Sequence, residues 1–376
     1  MGKREDRLAA VRARLERVET RRDLSAVLDR RAFVEARRLA EALDDGGGDL
    51  EIRYVLGWLH WYRSQALPAG PNQYDLDTAV AMFTPCFLAG TVEGSLPQPL
   101  LPRIADRAAP EALARLEHAI SADDDTPVSV TTPLLRRVLA ATPPGHPDLA
   151  ARLSNLGLAL RVRFERTGAL PDLEEAVDFG RESVATAPPG RPNTALYLDN
   201  LGRALQTRFG TKGTPADLEG AVDVSRRAVA ATPTGHRSRA LYLNNLGLSL
   251  RVRFERTGAL PDLEEAVDAG REAVAATPAG RPDVAAYVNA LGLALQARFE
   301  RTGALTDLEE AIELGRRTVA ATATGHRHRP PPAGAVPQQS GVVAARPVRA
   351  HGGTPRPGGG RRRRPGSGRG HPGRGP

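Results

Sequence analysis

Between residues 147 and 325 the apolar positions follow helical spacing, break at a glycine, resume and break again, and then the whole pattern starts over. In the first half of one such unit, Leu153, Leu156, Leu160 and Phe164 stand at i, i+3, i+7 and i+11, which puts them on one helical stripe. Gly157 leaves room on that stripe for a second helix to come close. Thr167-Gly168 ends it, because glycine takes the left-handed C-cap without steric cost. The second half opens at Asp172-Leu173-Glu174-Glu175, the pattern of a capping box with Asp172 as N-cap and Glu175 at N3. Its apolar face is Leu173, Ala176, Val177, Gly180 and Val184, and Pro188 and Gly190 stop it. No segment has the alternation of a strand. The predicted unit is helix–turn–helix.

This unit recurs every 45 residues. Leu156-Gly157, Leu201-Gly202, Leu246-Gly247 and Leu291-Gly292 keep the step, as do Phe164, Phe209, Phe254 and Phe299 and the turn glycines 145, 190, 235, 280 and 325. A fixed period of this size marks a repeat array, in which each unit buries its apolar face only on its neighbours. The expected fold class is therefore all-α, an α-solenoid with four regular repeats over 147–326. Gly220 stands where the other units have Glu175, Glu265 and Glu310, which removes half of that unit's capping box. Ala323 stands where Pro188, Pro233 and Pro278 end the other helices, so the last helix end is less firmly set. Upstream the pattern is weaker. Gly57 in YVLGWLHWYR occupies the Leu-Gly position, Asp75–Val80 resembles the start of a second helix, and Arg136–Pro143 resembles its end. Residues 49–146 are expected to be degenerate helical repeats, 1–48 an N-terminal helical cap, and 123–132 a loop.

Leu156-Gly157-x-x-Leu160, then Ala176-x-x-x-Gly180-x-x-Ser183 and Pro188, resemble the tetratricopeptide repeat pattern L-G-x-x-Y, A-x-x-x-F-x-x-A and P. Leu replaces the usual Tyr and Gly the usual Phe, and the unit is roughly 11 residues longer than the standard form, mostly at RFERTGALPDLEE. The resemblance implies a tetratricopeptide-like α-solenoid. It also implies a non-enzymatic interaction scaffold that takes a peptide or partner helix in a groove lined by the first helix of each unit. The layout further resembles the repeat arms of bacterial proteins with a C-terminal CHAT domain, a caspase-like cysteine peptidase fold. That likeness rests on the repeat wording and the GWLHWYR region and does not reach a catalytic domain. It gives the alternative function, a recognition arm truncated before its peptidase.

The chain has 376 residues and a formal net charge of +8, which would suit a nucleic-acid partner. The position of the charge argues against one. Residues 327–376 hold 11 Arg and no acidic side chain, so residues 1–326 carry 41 basic against 44 acidic groups, a net of −3. The single Cys86 excludes an internal disulfide and fits a reducing compartment. The charged N-terminus has no signal-peptide core, and no apolar run reaches the ~18–20 residues of a membrane span. A cytoplasmic location is the expectation.

The tail, 327–376, is Arg/Gly/Pro-rich without hydrophobic period and would be disordered as written. A shift of reading frame accounts for it better. Reading the codons of 333–374 one base later permits, at every position, the sequence of Arg239–Gly280. SGVVAARPVRAHGGTPRPGGG then becomes LGLSLRVRFERTGALPDLEEA. The tail is thus expected to be a further repeat read out of frame. Arg361–Arg364 could hold phosphate electrostatically, but in that case the run has no selected function.

Candidate groove residues are Asn155, Asn200 and Asn245, with Asp199, Asn244 and Asn289 one place earlier in the unit. Their amides can bond a bound main chain, or can tie each first helix to its neighbour. Arg163, Arg208, Arg253 and Arg298 suit a basic rail for an acidic partner, or bridges to carboxylates of the second helices. His146, His236 and His326 lie in turns too far apart to share a metal, and Cys86 in FTPCFLAG reads as a buried structural thiol. No phosphate-loop, nucleophile-elbow or zinc motif is present, so no cofactor, metal or catalytic residue is expected. The last helix, from Leu308, has no polar cap after it, which predicts self-association through an exposed apolar face.

Overall fold

The computed structural model describes residues 2–325 except 42, 44–48, 91–95, 123–125, 189, 191–192, 279–280 and 282, with side chains described over 4–317. The described residues fall in one unit, Met1–Ser340; a second unit, Gly341–Pro376, lies outside them, as does the whole Arg/Gly/Pro-rich tail. Apart from one short 3-10 turn at Gln98–Leu100, every regular element among the described residues is an α-helix. They are α1 (Gly2–Arg21), α2 (Ser25–Leu28), α3 (Arg30–Ala40), α4 (Leu50–Ala66), α5 (Asn72–Ala89), α6 (Leu101–Ser121), α7 (Thr126–Ala140), α8 (Leu149–Thr167), α9 (Leu170–Thr186), α10 (Thr194–Lys212), α11 (Pro215–Ala230), α12 (Arg239–Thr257), α13 (Leu260–Ala275), α14 (Val284–Thr302) and α15 (Leu305–Gly325).

The regular repeats are the pairs α8/α9, α10/α11, α12/α13 and α14/α15. Each second helix packs between its own first helix and the first helix of the next unit, and successive first helices also touch. The first helices therefore lie on the inner side of the stack. Leu153, Leu156, Leu160, Leu173, Ala176 and Val177 are almost fully buried, so both predicted stripes face the core. The Gly168, Gly213, Gly258 and Gly303 C-caps have φ of 70–75°, and each donates its N–H to the carbonyl of the Phe four residues earlier at 2.7 Å.

Glycine decides how closely the helices approach. A Cβ on Gly157 would sit 3.1 Å from the Ala176 carbonyl oxygen, so α8 and α9 touch backbone to backbone there. A Cβ on Gly180 or Gly270 would sit 3.0 Å from Leu201 Cδ1 or Leu291 Cδ1, the leucine of the next unit's Leu-Gly pair. The position where the tetratricopeptide pattern has Phe is here a socket for the following repeat's Leu.

Upstream, α4/α5 and α6/α7 are two further helix pairs. Phe83 of α5 lies over Gly57, where a Cβ would meet its ring at 2.6 Å, and packs edge-on against Tyr54 and Trp58. The helices α1–α3 bury Val11, Val27 and Leu39 against Ile52 and Leu59 of α4.

Three expectations are corrected. First, Asp172 is not an N-cap. Helix α9 begins two residues earlier with Ala169 as N-cap, because Pro171 is tolerated in the first turn and fixes helical φ there. Asp172 instead turns its carboxylate to Arg163. Second, 126–132 is not a loop. Helix α7 starts at Thr126, and burial of Val128, Thr131 and Thr132 outweighs the weak helix propensity of β-branched residues. Third, Gly325 is not a turn glycine: α15 runs on to it, as Ala323 in place of the proline allows, whereas α9, α11 and α13 stop at Thr186, Ala230 and Ala275. Without the proline, nothing stops the helix one turn earlier.

Candidate binding groove

The inner side of the stack is built from equivalent positions on α8, α10, α12 and α14. Two of these columns hold the candidate groove residues. Ser154, Asp199, Asn244 and Asn289 form one column; Asn155, Asn200 and Asn245 form the other, which ends at Ala290.

Along the array, the second column donates to the first. Asn200 Nδ2 donates to Ser154 Oγ at 3.0 Å, and Asn245 Nδ2 donates to Asp199 Oδ1 at 2.7 Å, each bond joining one first helix to the previous one. Gln206 adds a bond from α10 to the Asn245 carbonyl at 3.3 Å and another to Ser249 Oγ. Asn244 is buried and its amide reaches Asn245 Oδ1 at 3.4 Å. The ends of the ladder differ. One repeat before Ser154 stands Ala109, which offers Asn155 no side-chain acceptor; Asn155 is half-buried and Asn289 exposed. Neither has a side-chain hydrogen-bond partner among the described residues.

At the middle of the ladder lies a charge cluster that repeat-by-repeat comparison did not single out. Asp199 is buried, and burial pushes its carboxyl above the usual range despite the Asn245 bond and the nearby Arg203 and Arg161 charges. Arg161 is buried too. Desolvation first, and Arg203 second, push its guanidinium down to about 10, and it bonds Glu165 one turn on. Its Nε has no acceptor. The signal for this cluster was present in the columns: Asp199 is the one carboxylate among Ser and Asn, and Arg203 the one cation among Leu158, Leu248 and Leu293. Those leucines are half-buried or exposed, Leu293 at 40%.

The arginines before each Phe are structural. Arg163, Arg208, Arg253 and Arg298 each hold the Asp nine residues on with two bonds, for example Arg253 to Asp262 at 2.8 and 2.6 Å. Arg208 and Arg253 also bridge back to Glu174 at 3.0 Å and Glu219 at 2.8 Å on the previous unit's second helix. They are bridges and leave no basic rail. On the opposite side, Arg226–Glu265 and Arg271–Glu310 link successive second helices at 2.5 and 2.6 Å, and Arg136–Glu175 does the same. Gly220 breaks this outer ladder. Arg181 is left with Asp178 on its own helix at 3.9 Å.

His146 and His236 accept the backbone N–H two residues on, at 3.1 and 3.2 Å, and so stabilise their turns; His326 lies outside the described residues. Cys86 is buried, and burial pushes its thiol up to about 11, far from an activated nucleophile. Among the described residues there is no cluster of His, Cys, Asp and Glu that could hold a metal ion, and no helix long and apolar enough to cross a membrane.

No curated protein matches the chain in sequence. Among solved structures, the nearly identical TPR-like repeats of a protein assigned as a kinesin light chain from Podosopora anserina are 21% identical, with a TM-score of 0.43, covering 62% of this chain and all of that one. BtubC from P. vanneervenii is 17% identical over 64% of this chain and 97% of its own, with a TM-score of 0.42. The quorum sensor NprR from B. thuringiensis is 14% identical over 85% and 87%, with a TM-score of 0.29. The likeness to CHAT-associated arms rests on the sequence wording alone. The tetratricopeptide repeat family model matches residues 149–185, 239–276 and 284–326, which are the first, third and fourth regular units. The fold is a tetratricopeptide-like α-solenoid, and three of its four regular repeats carry that family's sequence pattern.

Proposed function

We propose that this chain is a non-enzymatic scaffold that binds a segment of another protein along the inner side of α8, α10, α12 and α14. The observation that carries it is the column Leu158, Arg203, Leu248 and Leu293, incompletely buried on a face whose polar positions are largely spent between repeats. Unspent apolar side chains on a rigid stack favour a partner that brings apolar side chains of its own. Arg203, beside the Arg161–Glu165 pair and buried Asp199, favours one acidic side chain among them, because it makes no salt bridge of its own among the described residues. Asn155 and Asn289, free at the ends of the ladder, can bond the partner's main chain.

The full chain used as bait, with the double variant Leu248→Asp and Leu293→Asp beside it, tests the groove. Both leucines are incompletely buried, so helicity should persist by circular dichroism while capture of the partner falls. A partner held equally well by the double variant would rule this surface out.

A further inference from the structure

Two second helices of the array carry a glycine socket, and on the last helix the equivalent glycine has no described side chain seated against it. Gly180 and Gly270 are each filled by the leucine of the next unit at 3.0 Å from where a Cβ would stand. Gly315 is the equivalent position on α15, and around it nothing lies within 4 Å. Beside it, Arg316 is the equivalent of Arg226 and Arg271, which hold Glu265 and Glu310 of the following repeat; Arg316 has no carboxylate partner among the described residues. Leu305 and Ile312 of α15 are 64% and 47% exposed. Helix α15 thus has the half of an inter-repeat joint that faces forward, with no described residue seated in it.

The chain is compatible with the other half, read one base out of frame. When the codons of 333–374 are read one base later, they permit Arg239–Gly280 throughout. In that frame the codon of Ser340 can spell the Leu of the Leu-Gly pair, equivalent to Leu201 and Leu291. The codon of Gly359 can spell the Glu equivalent to Glu265 and Glu310. The two groups that α15 lacks are the two that the shifted frame supplies at the equivalent positions. The connection is four residues longer: Gly180 to Leu201 and Gly270 to Leu291 span 21 residues, and Gly315 to codon 340 spans 25.

We propose that α15 is an internal joint of a longer array, and that its seat at Gly315 and Arg316 is built for a fifth repeat encoded by codons 333–374 in the shifted frame. The fifth repeat docks its Leu-Gly leucine into the Gly315 socket, and the glutamate of its second helix bonds Arg316. Among the described residues nothing fills this seat.

Two measurements test this. The first is the nucleotide sequence of codons 333–374: the next frame should spell the repeat, and a next frame with stops or unrelated residues overturns the proposal. The second is amide exchange over 305–317 in the full chain as written and in the full chain with the frame restored from 333 on. Restoration should slow exchange about tenfold or more, as docking converts a fraying end into an internal helix. Gly315→Leu fills the socket. It should leave exchange unchanged in the chain as written and abolish the gain in the restored chain, while Gly315→Ser, the residue at the equivalent Ser225, should preserve it. Equal exchange in the two chains, or a restored chain indifferent to Gly315→Leu, overturns the seat. So does protection in the chain as written that grows with concentration, which would make a second copy the occupant.

Discussion

At the scale of single residues, the array depends on buried and half-buried polar groups placed once per repeat. Asp262 sits near the N-terminus of α13 and takes two charge-assisted bonds from Arg253, which also reaches Glu219. Asp262→Asn keeps the shape but removes the charge and one acceptor, and should cost about 1–3 kcal/mol. Chemical denaturation followed by circular dichroism checks this, and a variant as stable as the parent would mean that the bridge contributes nothing. Asp199 should behave in the opposite way. Its folded-state pKa is raised by burial, so the folded chain holds the proton more tightly than the unfolded one. Its contribution to stability therefore declines as pH rises through the interval between the two values, starting from about pH 4, where an unperturbed Asp titrates. Asp199→Asn, the residue used at the equivalent positions 244 and 289, should melt higher than the parent at neutral pH and lose that advantage in acid. A melting difference that does not change with pH would show that Asp199 is not the source.

At the scale of elements, the glycines mark where helices meet and where one joint is defective. Gly180, Gly270 and Gly315 are sockets for the next repeat, whereas Gly220 sits where the outer ladder needs a carboxylate. A Cβ on Gly220 would meet only Leu205 Cδ1, at 3.3 Å, the end of a flexible side chain. Gly220→Glu should therefore stabilise α11 by about 1 kcal/mol through helix propensity, with a few tenths more from pairing with Arg181. Differential exchange across 215–230 reads this directly, and unchanged or faster exchange would mean that Leu205 cannot yield. The elements also show where sequence patterns mislead. D-L-E-E looked like a capping box because the residue types and spacing are right. The Pro171 just before it had already started the helix, and that left Asp172 free to pair with Arg163.

At the scale of the whole molecule, a solenoid's stability is close to a sum of unit and interface terms, so the ends and the weakest joints govern local opening. The α1–α3 cap closes one end by burying Val11, Val27 and Leu39 on α4. At α15 the forward-facing joint is open. The inner side leaves leucines and one arginine incompletely buried, and the outer side is tied by Arg–Glu bridges.

The sequence by itself determined the helices, the 45-residue step, the turn glycines and the all-α fold, because these follow from local spacing and caps that four copies repeat. The tail itself permits a fifth copy of that pattern when its codons are read one base later. The fate of each polar column was decided only in the tertiary structure. Whether an asparagine meets a partner or is used up depends on what stands one repeat away, at Ser154 for Asn200, Asp199 for Asn245 and Ala109 for Asn155. That pairing spans about 45 residues of chain. It becomes visible only when the helices stack, because a hydrogen bond is set by distance and direction in space, not by position along the sequence.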